Sequence, residues 1–237
     1  MLYSIIIPTY NHLEDALRPC LDSVLKYTHP ETAEIIVVAN GCTDGTHEYL
    51  AGLKDAVRPI WLNKPMGYPK SVNAGIRAAR GEYVVLLNND TACLDQKRNY
   101  WLDFLREPFD DPQMAVVGNV PNFSNETERQ FVIFCLAMIK REIFAKIGLL
   151  DESFHPGFGE DIEFCWRAER HGYKIKIVPP PEFRHFNAEA NMWVCPFPFY
   201  HRGSTTFGDY EGQTIVNRNQ AKLRQMYMDS LVVNPKS

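Results

Sequence analysis

Apolar runs and amphipathic stretches follow one another in turn along residues 1–90. Tyr3 to Ile7 is an apolar strand closed by Pro8. Leu13 to Tyr27 repeats apolar side chains at Leu13, Leu17, Leu21, Val24 and Leu25, the recurrence of a helix packed on one face, and Pro19 marks either a kink or a later helix start. Glu34 to Ala39 is the second strand, and the turn from Asn40 to Gly45 leads into a helix over Thr46 to Leu53. Arg58 to Leu62 gives a short third strand. Tyr68 to Arg80 reads as a helix with Val72, Ile76 and Ala79 on one side and Gly81 placed to cap it. Tyr83 to Leu87 is a fourth strand, almost continuously apolar, as expected of a parallel strand covered on both faces. This alternation predicts an α/β fold with a right-handed crossover at each return.

Beyond Leu87 the pattern is less regular. Gln96 to Arg106 reads as a helix, Met114 to Val117 as a strand, and Asn119 to Arg129 as a polar loop. Phe131 to Ile139 fits a buried strand or a core helix segment equally, because continuous apolar character erases the period that separates the two. A short helix over Lys140 to Ile147 ends at Gly148, and a stronger one over Asp161 to His171 ends at Gly172. Lys174 to Val178 is a late strand stopped by Pro179-Pro180-Pro181. The order from Glu182 to Pro198 is unassigned, and Asp209 to Met228 reads as a polar terminal helix. No internal repeat or clean linker appears, so a single domain over 1–237 is expected.

Composition narrows the class. The chain has 237 residues, 45% hydrophobic and 23% charged, which is ordinary for a globular protein with a substantial core. Lys plus Arg total 25 against 29 Asp plus Glu, a net charge of -4. That balance gives no case for nucleic acid as a partner, although a local basic patch stays open. Cys20, Cys42, Cys93, Cys135, Cys165 and Cys195 form no CxxC pair, so they suggest neither a zinc site nor a disulfide scaffold, and a reducing cytoplasm is the simplest setting. Residues 1–10 look like a first strand and not a signal peptide, and no stretch has the length of an integral membrane span. Contact at a membrane surface is left open.

In an open parallel sheet, ligands collect beyond the carboxyl ends of the strands. The polar stretches expected there are Pro8-Thr9-Tyr10-Asn11, Asn40 to Gly45 and Asn88-Asn89-Asp90. Asp90 suits either a helix cap or a hard oxygen ligand for Mg2+ or Mn2+. Glu160 and Asp161 open a helix, where a carboxylate serves as a cap or as a base for an acceptor hydroxyl. His201, before the small-residue turn Gly203 to Thr206, is a candidate metal ligand, phosphate partner or base, with His185 a weaker rival. GxGxxG after the first strand, GxxxxGK[ST] and GxSxG are all absent, which disfavours dinucleotide enzymes, P-loop enzymes and α/β-hydrolases.

Four segments in order resemble family 2, the large inverting family of GT-A glycosyltransferases: SIIIPTYN at 4–11, NGCTDGT at 40–46, GYPKSVNAGIRAARGEYVVLLNNDT at 67–91, and FAKIGLLDESFHPGFGEDIEFCWRAERHGYKIKIVP at 144–179. The tail resembles a subgroup in which a histidine before Gly-Ser-x-Thr-Phe precedes a helix carrying an asparagine, here HRGSTTF at 201–207 and Asn217 or Asn219. The resemblance implies a GT-A fold: a Rossmann-like, mostly parallel sheet flanked by helices, with a nucleotide-binding half at about 1–90 merged with an acceptor-binding half. It implies that Pro8, Thr9, Tyr10, Asn11, Asn40, Asn73 and Asn89 contact the donor. Asp90 and His201 are implied as contacts of Mn2+ or Mg2+, Asp161 as the catalytic base, and Glu160 and Trp193 as acceptor contacts. The donor would be a nucleotide-diphosphate sugar of the UDP, dTDP or GDP type, and the acceptor a glycan, a lipid-linked sugar or another hydroxyl compound.

The sequence departs from the family pattern at three points. Ala39-Asn40 stands where a carboxylate pair is common, which loosens the choice of base; Asn88 replaces the first acidic member of the metal triplet; and Glu163 stands where Asp is frequent. Two other functions compete. A nucleotidyltransferase acting on sugar phosphates would favour a basic glycine-rich loop after the first strand, which PTYNHLED does not supply. A non-catalytic nucleotide- or glycan-binding module is opposed by the presence of both Asp90 and Asp161.

Overall fold

The apolar runs assemble into one seven-stranded sheet in the computed structural model, which describes residues 1–53, 55–127, 129–178, 185–187, 192–194, 197–203 and 209–233. In chain order the elements are β1 (Tyr3–Thr9), α1 (Arg18–Tyr27), β2 (Ala33–Asn40), α2 (Thr46–Gly52), β3 (Arg58–Leu62), α3 (Tyr68–Ala78), β4 (Tyr83–Leu87), β5 (Thr91–Cys93), α4 (Tyr100–Arg106) and β6 (Met114–Gly118). There follow β7 (Pro121–Ser124), β8 (Arg129–Val132), β9 (Leu136–Lys140), α5 (Arg141–Ile147), α6 (Glu160–Arg170), β10 (Lys174–Ile177), β11 (His185–Asn187), β12 (Met192–Val194), β13 (Phe199–His201) and α7 (Asp209–Val233).

The strand order is β10-β6-β9-β4-β1-β2-β3. β1 runs parallel between β2 and β4, with Ile5 opposite Ile35 on one side and Val85 on the other. β9 is antiparallel to both β4 and β6, so the sheet is mostly parallel with one reversed strand near its centre. Because side chains alternate across a strand, Ile5, Ile7, Val37, Val85 and Leu87 share one face with Leu17 just before α1, Leu21 and Val24 of α1, and Trp101, Leu102 and Leu105 of α4. Ile6, Ile36, Val38, Val84 and Leu86 share the other with Val72 and Ile76 of α3, Ile143 and Phe144 of α5, and Phe164 and Ala168 of α6. Doubly covered strands explain why β1, β2 and β4 read as unbroken apolar runs.

Several expectations are corrected. Of the two readings of Pro19, the later helix start holds and the kink does not: Pro19 lies in the first turn of α1, where its missing N–H costs nothing, and a π-helical turn over Leu13–Leu17 precedes it. Gly81 is not a helix cap, because α3 ends at Ala78 and Ala79 already has extended backbone. Its role is proximity: a Cβ there would come within 2.6 Å of Ser4 N and Tyr3 C at the start of β1. The polar stretch 119–129 holds β7, which pairs antiparallel with β8. The run from Phe131 to Ile139 is divided between β8 and β9. The helix expected from Gln96 begins at Tyr100, after the short strand β5. Pro179-Pro180-Pro181 lies outside the described residues.

Candidate active site

At the carboxyl end of β1, Thr9 is buried; its hydroxyl accepts from Asn89 Nδ2 at 2.9 Å and donates to the Asn11 carbonyl at 3.3 Å. Asn11 has left-handed backbone (φ 56) and its Oδ1 accepts from Thr43 N at 2.8 Å. Asn40 Oδ1 accepts from Met66 N at 2.7 Å. These bonds join the loops after β1, β2, β3 and β4 into one rim, with Pro8 buried in the β1 register opposite Val38 and Tyr10 exposed at the edge. Asn73 is placed differently. Its Nδ2 donates to Leu150 O at 2.9 Å and Glu152 Oε1 at 3.1 Å, and its Oδ1 accepts from Leu150 N at 3.0 Å. With its amide bonded to the loop after α5, Asn73 ties α3 to that loop and stands apart from the hydrogen bonds that join the rim.

Past Asn89, β5 pairs antiparallel with β13, and the register sets His201 opposite Thr91. Arg202 N donates to Asp90 O at 3.0 Å, so the backbone fastens the histidine segment to the end of β4. His201 Nε2 then stands 3.3 Å from Asp90 Oδ1. Burial opposes a charge on the imidazole, but its hydrogen bonds to Asp90 and Cys135 prevail and raise its pKa to about 10. The carboxylate thus favours the charged imidazole, and a cation held through His201 Nε2 would displace that proton. Asp90 and His201 supply a carboxylate oxygen and an imidazole nitrogen, a donor pair suited to Mn2+ or Mg2+. Among the described residues no group of three His, Cys, Asp or Glu side chains is arranged to hold an ion, so water or phosphate oxygens would complete the shell. Ser204 to Phe207 of the HRGSTTF segment lie outside the described residues.

The second carboxylate group stands in the first turn of α6. Phe158 (φ 70) and Gly159 (φ 98) turn the chain into α6, and Asp161 Oδ1 accepts from Ile162 N at 2.8 Å. Burial raises the Asp161 pKa to about 6, against backbone N–H groups that favour its ionised form, including those of Ile162, Phe134 and Gly159. Glu160, 6% exposed, is held well above the usual carboxylate range by burial and by the charge of Asp161. Its Oε2 has no hydrogen-bond partner among the described residues.

Tyr68, at the start of α3, connects the two groups. Its hydroxyl donates to Phe134 O at 2.8 Å, and the neighbouring Cys135 O accepts from Asn88 N at 3.0 Å beside Asp90. Burial, then the charges of Glu160, Asp161, Cys135 and Asp90, keep the Tyr68 phenol protonated. The charges of Asp90 and Asp161, on different elements, thus both disfavour ionisation of this phenol. Sequence reading passed over Tyr68, whose signal, an aromatic at a helix start before Pro69, resembles ordinary packing. It left Asn217 and Asn219 unresolved; Asn219 is the buried one, bonded to the loop before Glu160. Glu163 faces Arg167, with Oε2 accepting from Nη2 at 2.7 Å. Trp193 pairs through its backbone with Phe186, and His185 with Val194; their side chains lie outside what is described. Cys20, Cys42, Cys93, Cys135 and Cys165 are buried free thiols.

The comparisons with known proteins bear on the family and the fold. The family model described as "Glycosyl transferase family 2" matches residues 4–132, more than half of the chain. The O-antigen biosynthesis protein RfbC of Myxococcus xanthus is 26% identical over 81% of this chain and 18% of its own. A poly-beta-1,6-N-acetyl-D-glucosamine synthase of Staphylococcus epidermidis is 24% identical over 74% of this chain and 48% of its own. The chain therefore spans less than half the length of these curated relatives. Among solved structures, the mannosyltransferase PcManGT of Pyrobaculum calidifontis, in complex with GDP-Man and Mn2+, superposes with a TM-score of 0.62 at 22% identity, over 76% of this chain and 55% of that one. TarS 1-349 of S. aureus, in complex with UDP, gives 0.57 at 20% identity, over 76% and 59%. With the strand order, the rim at the carboxyl ends and the matched segment all in agreement, the chain belongs to glycosyl transferase family 2 and has the GT-A fold.

Proposed function

We propose that this domain transfers a sugar, with inversion, from a nucleotide-diphosphate donor to an acceptor hydroxyl. The observation that supports the reading is that the charges of Asp90 and Asp161, which belong to different elements, both raise the pKa of one buried phenol, Tyr68. Thr9, Tyr10, Asn11, Asn40 and Asn89 form the nucleotide rim. Asp90 and His201 would hold a divalent ion, Mn2+ or Mg2+, and the ion, when bound, offsets charge on the departing diphosphate. Asp161 takes the proton of the acceptor hydroxyl as that oxygen forms its bond to the anomeric carbon, and the nucleoside diphosphate leaves from the opposite face. A carboxylate with a pKa near 6 is ionised at neutral pH yet basic enough for this work. Glu160, kept protonated, donates a hydrogen bond to the acceptor, so the adjacent carboxyls divide two roles between them.

The PcManGT complex holds GDP-Man and the TarS complex holds UDP, and Asn40 in place of a carboxylate leaves this rim compatible with either base. The deciding experiment is calorimetry with UDP, GDP, dTDP and CDP, with and without Mn2+, followed by hydrolysis of the matching sugar nucleotide. Metal-enhanced binding of one nucleotide with slow hydrolysis supports the reading; no nucleotide binding contradicts it.

A further inference from the structure

The C-terminal helix α7 belongs to neither the nucleotide rim nor the sheet, yet its contacts concentrate on the segment that leads into Glu160-Asp161. Asn219, 2% exposed, donates from Nδ2 to Gly157 O at 2.8 Å and Phe158 O at 2.7 Å, with a longer approach of 3.5 Å to Phe154 O. Its Oδ1 accepts from Arg218 Nε at 3.0 Å, and the same guanidinium bonds His155 O. One turn on, Lys222 stands 4.1 Å from the Phe154 ring centre, reaches Asp151 Oδ2 at 3.5 Å and bonds Ser153. A Cβ at Gly159 would meet Leu223 Cδ1 at 3.3 Å, so the next residue along α7 closes the space around the last glycine before the carboxylates. Positions 218, 219, 222 and 223 recur at helical spacing and present one face to one loop.

The loop needs such a brace. Phe158 has φ 70, a left-handed conformation that bulky residues rarely hold unaided, followed by Gly159 at φ 98. Two consecutive left-handed residues aim the first turn of α6, and with it Glu160 and Asp161. The Gly157 and Phe158 carbonyls, which flank the first of these residues, both accept from one donor on α7. A primary amide, with two N–H groups on one nitrogen, satisfies both at once, which a hydroxyl or an aliphatic side chain cannot do.

We propose that Asn219 is a positioning residue: by pinning the Gly157 and Phe158 carbonyls from α7 it fixes the direction in which the Glu160-Asp161 pair faces the reacting atoms, without contributing to donor binding. The proposal rests on the reading of Asp161 as the base. It makes α7 part of the catalytic geometry and separates the effect of its loss from the effect of damage to the rim.

The test compares Asn219→Ala, Asn219→Gln, Asp161→Asn and a control, Leu102→Ala, whose side chain is buried beneath the opposite face of the sheet. Turnover is read as hydrolysis of UDP-N-acetylglucosamine and GDP-mannose, nucleotide affinity by calorimetry with UDP and GDP, and stability as Tm. Asn219→Ala is expected to lower kcat roughly 30- to 100-fold, the scale of a displaced reacting group, with nucleotide Kd within about twofold. Asn219→Gln, which keeps both N–H groups one methylene further out, should recover part of the loss. Leu102→Ala should lower Tm at least as far as Asn219→Ala while kcat, measured well below both transitions, falls less than about threefold. The proposal is overturned if Asn219→Ala turns over like the unmodified protein, if its kcat loss is matched by Leu102→Ala at equal loss of Tm, or if Kd weakens in parallel with kcat. An inactive Asp161→Asn beside a fully active Asn219→Ala retains the base and removes the brace. An active Asp161→Asn beside a slow Asn219→Ala removes the base and retains the brace, acting on Glu160.

Discussion

His201 Nε2 lies 3.3 Å from Asp90 Oδ1, which joins the end of β13 to the end of β4 at the rim where the first strands of the sheet deliver their loops. The pairing of β13 with β5 builds this contact, since it sets His201 opposite Thr91 and lets Arg202 N bond Asp90 O.

If these two side chains share an ion, removing either weakens the metal response and not the rim itself. Asp90→Ala should abolish the gain in nucleotide affinity that Mn2+ gives, and His201→Ala should reduce that gain about tenfold, the cost of losing one ligand. Calorimetry of UDP and GDP with and without Mn2+ measures both. An unchanged Mn2+ effect in Asp90→Ala removes it from the metal site.

The pH dependence of turnover follows from Asp161. Its pKa is raised to about 6, and only its ionised form accepts a proton. The rate should therefore be level above about pH 7 and fall close to tenfold per unit below the pKa. A pH–kcat profile showing full activity at pH 4.5 excludes Asp161 as the group that must be ionised.

Stability runs the other way. A carboxylate whose folded pKa exceeds its unfolded value binds its proton more tightly when folded, so its contribution is favourable below the unfolded pKa and is lost as pH rises through the folded one. With 3.8 as the ordinary value and about 6 in the fold, ionising Asp161 costs at most about 3 kcal/mol at pH 8. Asp161→Asn keeps an oxygen for Ile162 N and removes the charge, so it should raise Tm at pH 8 and give little advantage at pH 4. Equal Tm values at pH 8 contradict a strained carboxylate.

Glu163 and Arg167 form a two-pronged ion pair, with Oε1 accepting from Nε at 2.9 Å and Oε2 from Nη2 at 2.7 Å, while Arg167 also donates to Leu149 O at 2.8 Å. Glu163 is 5% exposed, so Glu163→Ala leaves a mostly buried guanidinium short of its partner, at a cost of about 3 kcal/mol. Turnover per folded molecule should change by less than about threefold, because the carboxylate faces α6 and not the cleft. Chemical denaturation and kcat together check this; a large kcat loss at small stability cost places Glu163 in the chemistry.

Gly81→Ala brings a methyl group to 2.6 Å from Ser4 N and Tyr3 C, both backbone atoms that cannot step aside. A loss of about 1–3 kcal/mol is expected from such overpacking, read as a lowered Tm. No change in Tm would show that the crossing is looser than described.

How far the sequence could be read follows from these same residues. β1, β2 and β4 were legible because each is short, almost wholly apolar and covered on both faces, which left no polar face to confuse the pattern. β5 and β13 were not, since each is three residues long and is defined only by pairing with a distant partner. Residues 131–139 divided unseen because both pieces are buried and period carries no information there. At the site, Asp90, Glu160 and Asp161 stood out as carboxylates at element ends. An asparagine's bonding depends on what meets its amide, for Asn73 Leu150 and Glu152, and the same dependence left Asn217 and Asn219 inseparable until burial distinguished them.

The most direct measurement is turnover and nucleotide affinity of Asp161→Asn, taken together on the donor that binds best. Loss of kcat by about 1,000-fold with nucleotide Kd within about twofold is the result expected of a base that faces the cleft but does not hold the donor. Turnover near that of the unmodified protein, or a Kd that collapses with kcat, contradicts the assignment of Asp161 as the base.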